Sequence, residues 1–220
     1  MKYRTVFDII GPIMIGPSSS HTAGAARIGK VARNIFGRKP ERAEITFYGS
    51  FAQTYKGHGT EVATIGGILD LDTHDEGIIR AKELAQEQGI DISVKTSEEE
   101  TEHPNTAKIK LFDQQGDIEI VGISIGGGNI EIISMNGFNL RLSGHHPALL
   151  VLHEDRYGMI AAVSNILSKY QVNIGHMEVA RKSKGSEALM AIESDQQIPD
   201  ELLEEIRQIP FILTVTRLQA

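Results

Sequence analysis

The sequence predicts an α+β chain of two domains, and three observations predict it. Hydrophobic spacing switches repeatedly between a helical period and a period of two. An Asn136-Gly137 pair and a glycine- and proline-containing stretch, Ser143 to Pro147, interrupt the chain about two thirds of the way along. Beyond that break the order reads strand, helix, strand, strand, helix, strand.

From Thr22 to Phe36, Ala25, Ile28, Val31, Ala32 and Ile35 recur at helical spacing, and Gly37 stands where a helix stops. Ala43 to Ser50 alternates Ile45, Phe47 and Gly49, a strand running into a glycine-permitted bend and then a loop rich in functional groups. Thr60 to Leu69 and Asp75 to Gln88 read as helices, the second capped by Asp75 and closed by Gly89. Ser97 to Asn105 carries a charge run and a proline between two strand-like segments, the pattern of a mobile surface loop. TAKIKLFD and DIEIVGIS flank Gln114, Gln115 and Gly116 as a hairpin, and NIEIISM and FNLRL flank the strong turn signal Asn136-Gly137. The SGHHP stretch then predicts a linker, giving domains over residues 1–143 and 148–220. In the second domain the strands are Ala148 to His153, Val172 to Lys182, Ser186 to Glu193 and Ile212 to Leu218. The helices are Gly158 to Tyr170 and Asp200 to Gln208. This β-α-β-β-α-β order is the ferredoxin-like arrangement, two helices on one face of a four-stranded antiparallel sheet, whose open face or edge favours pairing with another copy.

Composition narrows the function. A formal net charge of -7 gives a phosphate backbone no general attraction, so nucleic acid is not expected as a partner. No run approaches the roughly 18 apolar residues that span a bilayer, and MKYRTVFDII lacks the apolar stretch of a secretory signal, so a cytoplasmic protein is expected. The absence of cysteine removes disulfides, thiolate nucleophiles and the ordinary protein ligands of an iron-sulfur cluster.

Three constellations carry chemistry. In GPSSSHTAG, Gly16 to Gly24, the side chains of Ser18, Ser19, Ser20, His21 and Thr22 and the unpaired amides of a helix N-terminus converge on a place for a small anion such as a carboxylate. Serine and threonine also serve as ordinary caps, but five consecutive hydrogen-bonding side chains exceed what a cap needs. In GSFAQTYKGHGTE, Gly49 to Glu61, His58 stands between two glycines and near Lys56, whose charge would favour a neutral imidazole. His58 is the candidate general base, because histidine's free pKa suits proton transfer near neutrality. Gly126, Gly127, Gly128 and Asn129 either cradle an anion or turn a corner between strands. His103, His145 and His146 form no metal spacing, and no metal ligand is assigned to this chain. In the second domain His153, Asp155 and Gly158 occupy the first strand-to-helix turn, and with Asn173 they are candidates for a small polar ligand at a subunit interface.

GPSSSHTAG followed by GSFAQTYKGHGT resembles the beta region of the iron-sulfur L-serine dehydratases over roughly the first 140 residues. The resemblance implies conversion of L-serine to pyruvate and ammonia on a 4Fe-4S cluster held by cysteines of a separate alpha subunit, with an open iron as Lewis acid. It implies substrate contacts from Ser18 to Thr22 and a catalytic role for His58. The N-terminal fold it implies is the mixed α/β type of the allosteric substrate-binding domain of some phosphoglycerate dehydrogenases. From Ala148 onward the chain resembles an ACT domain of the serine-sensing type with His-x-Asn-x-Pro-Gly at its first turn, although Asp155 replaces the asparagine and Tyr157 the proline. An amino-acid effector and self-association through this domain are the expectations. The alternative is a free-standing amino-acid sensor with an N-terminal scaffold. A pyridoxal-phosphate dehydratase is disfavoured by the short chain and the lack of a lysine in cofactor context.

Overall fold

The computed structural model describes residues 20–219, with the backbone alone for Ser20 and His21. Two compact units divide between Asn136 and Gly137. The division precedes the SGHHP linker, and residues after the turn make side-chain contacts within the second unit. Ser143 donates to Glu193 from its amide at 2.6 Å and its hydroxyl at 2.8 Å, and the Phe138 ring lies 4.7 Å from the Lys182 ammonium.

The first unit contains helices α1 (Ser20–Phe36), α2 (Gly49–Thr54), α3 (Thr60–Ile68) and α4 (Ala81–Glu87), with strands β1 (Arg42–Tyr48), β2 (Asp91–Ser97), β3 (Thr106–Asp113), β4 (Gly116–Gly126) and β5 (Asn129–Met135). The strands are ordered β2-β1-β3-β4-β5. The β1–β2 pair is parallel, joined by a helical crossover, and the other pairs are antiparallel. In register stand Val94, Ile45, Ile109, Ile120 and Met135, so one apolar row crosses these five strands. The next row carries Gly122 on β4. A Cβ there would stand 2.8 Å from Ile28 of α1, so this glycine lets the helix seat directly on the sheet.

Helices α1 and α3 pack at close range for the same reason. A Cβ on Gly67 would lie 2.0 Å from the Ala26 carbonyl oxygen, and one on Gly29 would lie 2.3 Å from that of Thr64. The helix read over Asp75 to Gln88 is a 3-10 turn, Glu76–Arg80, running into α4; Asp75 caps it by accepting from the Gly77 amide at 2.7 Å. Six residues read as a loop, Gly49–Thr54, form α2 instead. Phe51 is wholly buried there, edge-on to Phe47 with centroids 5.9 Å apart.

Arg38, just after α1, pairs with Asp113 at the end of β3, and the Asp113 carboxylate also accepts from the amides of Gln115 and Gly116 at the β3–β4 turn. The Arg38 hydrogen bond, helped by those amides, lowers the Asp113 carboxyl to about 2. A depressed carboxyl stabilises the fold fully above its unfolded pKa, near the ordinary 3.8, and that contribution is lost as pH falls toward 2. Asp113→Asn keeps an oxygen for the two amides and removes the charge. Its melting temperature is therefore expected to lie below wild type at neutral pH and to converge with it on acidification; a gap that stays constant would contradict the assignment.

The second unit contains strand β6 (Phe138–Leu142), then β7 (Ala148–Glu154), α5 (Met159–Lys169), β8 (Ile174–Arg181), β9 (Glu187–Ser194), α6 (Asp200–Arg207) and β10 (Ile212–Leu218). The last four strands form an antiparallel sheet in the order β10-β7-β9-β8, the ferredoxin-like order. Leu149, Val151, Met190 and Ile192 of the central strands meet Val163 and Leu167 of α5 and Leu202 and Ile206 of α6 in one core.

Candidate functional site

Two contacts from α1 gather the three N-terminal constellations around its first two turns. Thr22 Oγ1 donates to the His58 carbonyl oxygen at 2.9 Å, tying the hydroxyl-rich motif to the loop between α2 and α3. Five residues on, about 7 Å along the axis, Arg27 Nη1 donates to the Gly128 carbonyl at 3.0 Å and ties in the glycine run. Burial lowers the Arg27 pKa from its ordinary value, though a guanidinium stays charged at neutral pH.

The His58 loop is held from several sides. Its α2 end begins at Gly49, whose φ of 51° and whose nearness to Pro104 both require glycine; the Pro104 carbonyl accepts from the Ser50 amide at 2.7 Å. That contact anchors the last part of the acidic stretch read as a mobile loop. The His58 amide donates to the Thr54 carbonyl at 3.0 Å, and Gly59, at φ 70°, sends the chain into α3. The His58 side chain itself is exposed. Lys56 places its ammonium 5.6 Å from the Tyr55 ring centroid.

Gly127 and Gly128, at φ 59° and 79°, form the two-residue loop of the β4–β5 hairpin, with Gly126 paired to Asn129. Of the two roles open for the glycine run, the hairpin corner is the one seen. Beside it Ser124 is buried so closely against α1 that a Cβ on Gly24 would meet its hydroxyl at 2.1 Å. Thr60 is completely buried, and its hydroxyl and the side-chain amide oxygen of Asn105 have no hydrogen-bond partner among the described residues. Arg27, Thr60, Asn105 and Ser124 thus adjoin these motifs without having been singled out in the sequence. Only Thr60 carried a signal, as the last letter of the KGHGT motif. Ser18 and Ser19 lie outside the described residues, and Ser20 and His21 contribute the first helical backbone of α1.

In the second unit the four effector candidates do not meet within one chain. His153 is buried and its Nδ1 lies 2.7 Å from the Glu154 carbonyl oxygen, so Nδ1 carries the proton. The Asp155 carboxylate accepts from the Gly185 amide at 3.0 Å and pairs with Arg181 at 3.2 Å, latching the β7–α5 turn to the β8–β9 turn. Gly158 precedes α5, whereas Asn173 follows it and donates to Asp195 at 2.6 Å. Eleven residues of α5, about 16 Å, separate the two ends.

The first unit is a mixed α/β domain with polar and glycine-rich motifs near one helix start, and the second carries the ferredoxin-like βαββαβ arrangement. Comparison with known proteins places the chain in a family. The family model for the serine dehydratase beta chain matches residues 5–83, and that for the ACT domain matches residues 148–211. The probable L-serine dehydratase, beta chain, of Bacillus subtilis (strain 168) is 62% identical over 218 residues, 99% of either chain. The L-serine dehydratase, beta chain, of Peptoniphilus asaccharolyticus is 35% identical over 208 residues, 94% of either chain. A D-3-phosphoglycerate dehydrogenase of B. subtilis is 26% identical over 191 residues, 87% of this chain but 36% of that protein. The chain belongs to the L-serine dehydratase beta-chain family and carries an ACT domain at its C-terminal end.

Proposed function

We propose that this chain is one subunit of a heteromeric L-serine dehydratase that yields pyruvate and ammonia in the cytoplasm, completed by an alpha subunit whose cysteines hold a 4Fe-4S cluster. The observation that carries the reading is the hydrogen bond from the Thr22 hydroxyl to the His58 carbonyl, which ties the last residue of the SSSHT segment to the backbone of the exposed His58. The residues of this chain do not suit the cluster. There is no cysteine, and no group of three or more His, Asp or Glu side chains among the described residues is arranged to hold a metal ion. No described helix is long and apolar enough to cross a membrane.

In this reading the Ser18 to His21 segment and the α1 N-terminus receive the substrate carboxylate, with helix amides favouring the anion, while Thr22, bonded to the His58 carbonyl, supports the segment. His58 exchanges a proton with the substrate at the α-carbon or the departing hydroxyl. Loss of the α-proton and of the hydroxyl as water leaves aminoacrylate, and its hydrolysis gives pyruvate and ammonia. The ACT domain self-associates. Because Asn173 lies at the far end of α5 from Gly158, an effector site built from His153, Asp155, Gly158 and Asn173 needs two copies.

Anaerobic incubation of the paired subunits with L-serine should give pyruvate and ammonia in equal amounts. Serine binding without either product would overturn the reading in favour of an amino-acid sensor.

A further inference from the structure

The hydroxyl of Thr22 lies in the motif assigned to substrate, yet it points elsewhere. Thr22 is 3% exposed, and its Oγ1 donates to a backbone carbonyl 36 residues away. That carbonyl is the one of His58, whose amide is already bonded to Thr54. Both backbone groups of His58 are therefore fixed, one from α2 within its own loop and one from α1. The loop enters from Tyr55, whose ring packs 5.7 Å from that of Phe47, and leaves through the left-handed Gly59. Between these points lie Lys56, Gly57 and His58, all exposed. The Thr22 hydrogen bond spans from α1, an element seated on the sheet, to this exposed segment.

We propose that Thr22 is a positioning residue: its buried hydroxyl fixes the backbone from which the His58 imidazole reaches the substrate. The inference rests on the proposed role of His58. A threonine suits the task because its branched Cβ restricts the side chain to few rotamers, so the hydroxyl is aimed before the loop docks. Residues that hold a reacting group in place affect turnover steeply, since a misplacement of about 1 Å can lower it by about a hundredfold.

Two variants test this, Thr22→Val, which keeps the shape and loses the hydroxyl, and Thr22→Ser, which keeps the hydroxyl. In the anaerobic alpha–beta complex, Thr22→Val should lower kcat by about 10- to 100-fold with KM for L-serine nearly unchanged, and Thr22→Ser should restore most of it. In the chain alone, trypsin cleavage after Lys56 should be faster in Thr22→Val and near wild type in Thr22→Ser. A raised KM with unchanged kcat would place Thr22 on the substrate and overturn the proposal. Equal losses in both variants, or no change in cleavage, would do the same. If Thr22→Val does not fold, a Thr22→Ser chain that folds but has lost turnover and gained cleavage also overturns it. Cleavage that follows the hydroxyl in a complex inactive even as wild type would leave the tie standing and reject the dehydratase reading instead.

Discussion

Replacing His58 by alanine is expected to lower kcat of the reconstituted complex by about 10²- to 10⁴-fold, the contribution of a positioned acid–base group. Its side chain is exposed, so truncation leaves no cavity and the chain should fold and assemble as before. The backbone ties through Thr54 and Thr22 do not depend on the imidazole, so the loop should keep its place. KM for L-serine should change little if the carboxylate is held by the α1 end of the site. The measurement is a pyruvate assay under anaerobic conditions, with gel filtration to show that the complex is intact. Turnover within twofold of wild type would remove His58 from the chemistry.

Gly67→Ala is expected to have the largest effect on stability. Its new Cβ would lie 2.0 Å from the Ala26 carbonyl oxygen and 2.6 Å from the Lys30 nitrogen. Both are backbone atoms of α1, so no rotamer change relieves the clash and the helices must separate. Overpacking of this kind costs about 3 kcal/mol or more. At about 2–4 °C per kcal/mol for a chain of this size, the transition involving the first unit should fall by about 10 °C. Gly57→Ala is the control: at Gly57 a Cβ would meet nothing closer than 3.9 Å, and its stability should stay near wild type. Similar melting temperatures for the two variants would mean that α1 and α3 are not in close contact.

Where local chemistry decides, the sequence was informative. Asp75 caps, Gly59 and Gly89 take left-handed backbone, and Asn136 and Gly137, at φ 48° and 79°, make the turn that this residue pair favours. The βαββαβ order from Ala148 onward was legible, because its strands and helices carry their own periods and that order leaves few packings, whereas β6 was read into the first domain. What stayed hidden depends on partners distant in the chain. Gly29 and Gly67 look like weak points inside helices, and only the crossing of α1 with α3 explains them. Six residues of α2 are too few to show a period, and their helix is held by Phe51 in the core and by Pro104 at its start. The parallel β1–β2 pairing depends on the crossover between them.

Within the site, residue types were readable and directions were not. The three motifs stood out for their dense polar groups and glycines. That they surround one helix end follows from the Thr22 and Arg27 contacts, across 36 and 101 residues of chain. The same limit separated Asn173 from His153, Asp155 and Gly158: sequence placed all four near turns, and the length of α5 sets them apart.

The central claim is that this chain holds half of a catalytic site. Its most direct test is an omission experiment, in which this chain, the cysteine-bearing alpha chain with its cluster intact, and the mixture are each assayed anaerobically for pyruvate from L-serine. The account predicts turnover in the mixture and none from either chain alone. Turnover by this chain alone, or none in a mixture whose cluster is shown to be intact, would contradict it.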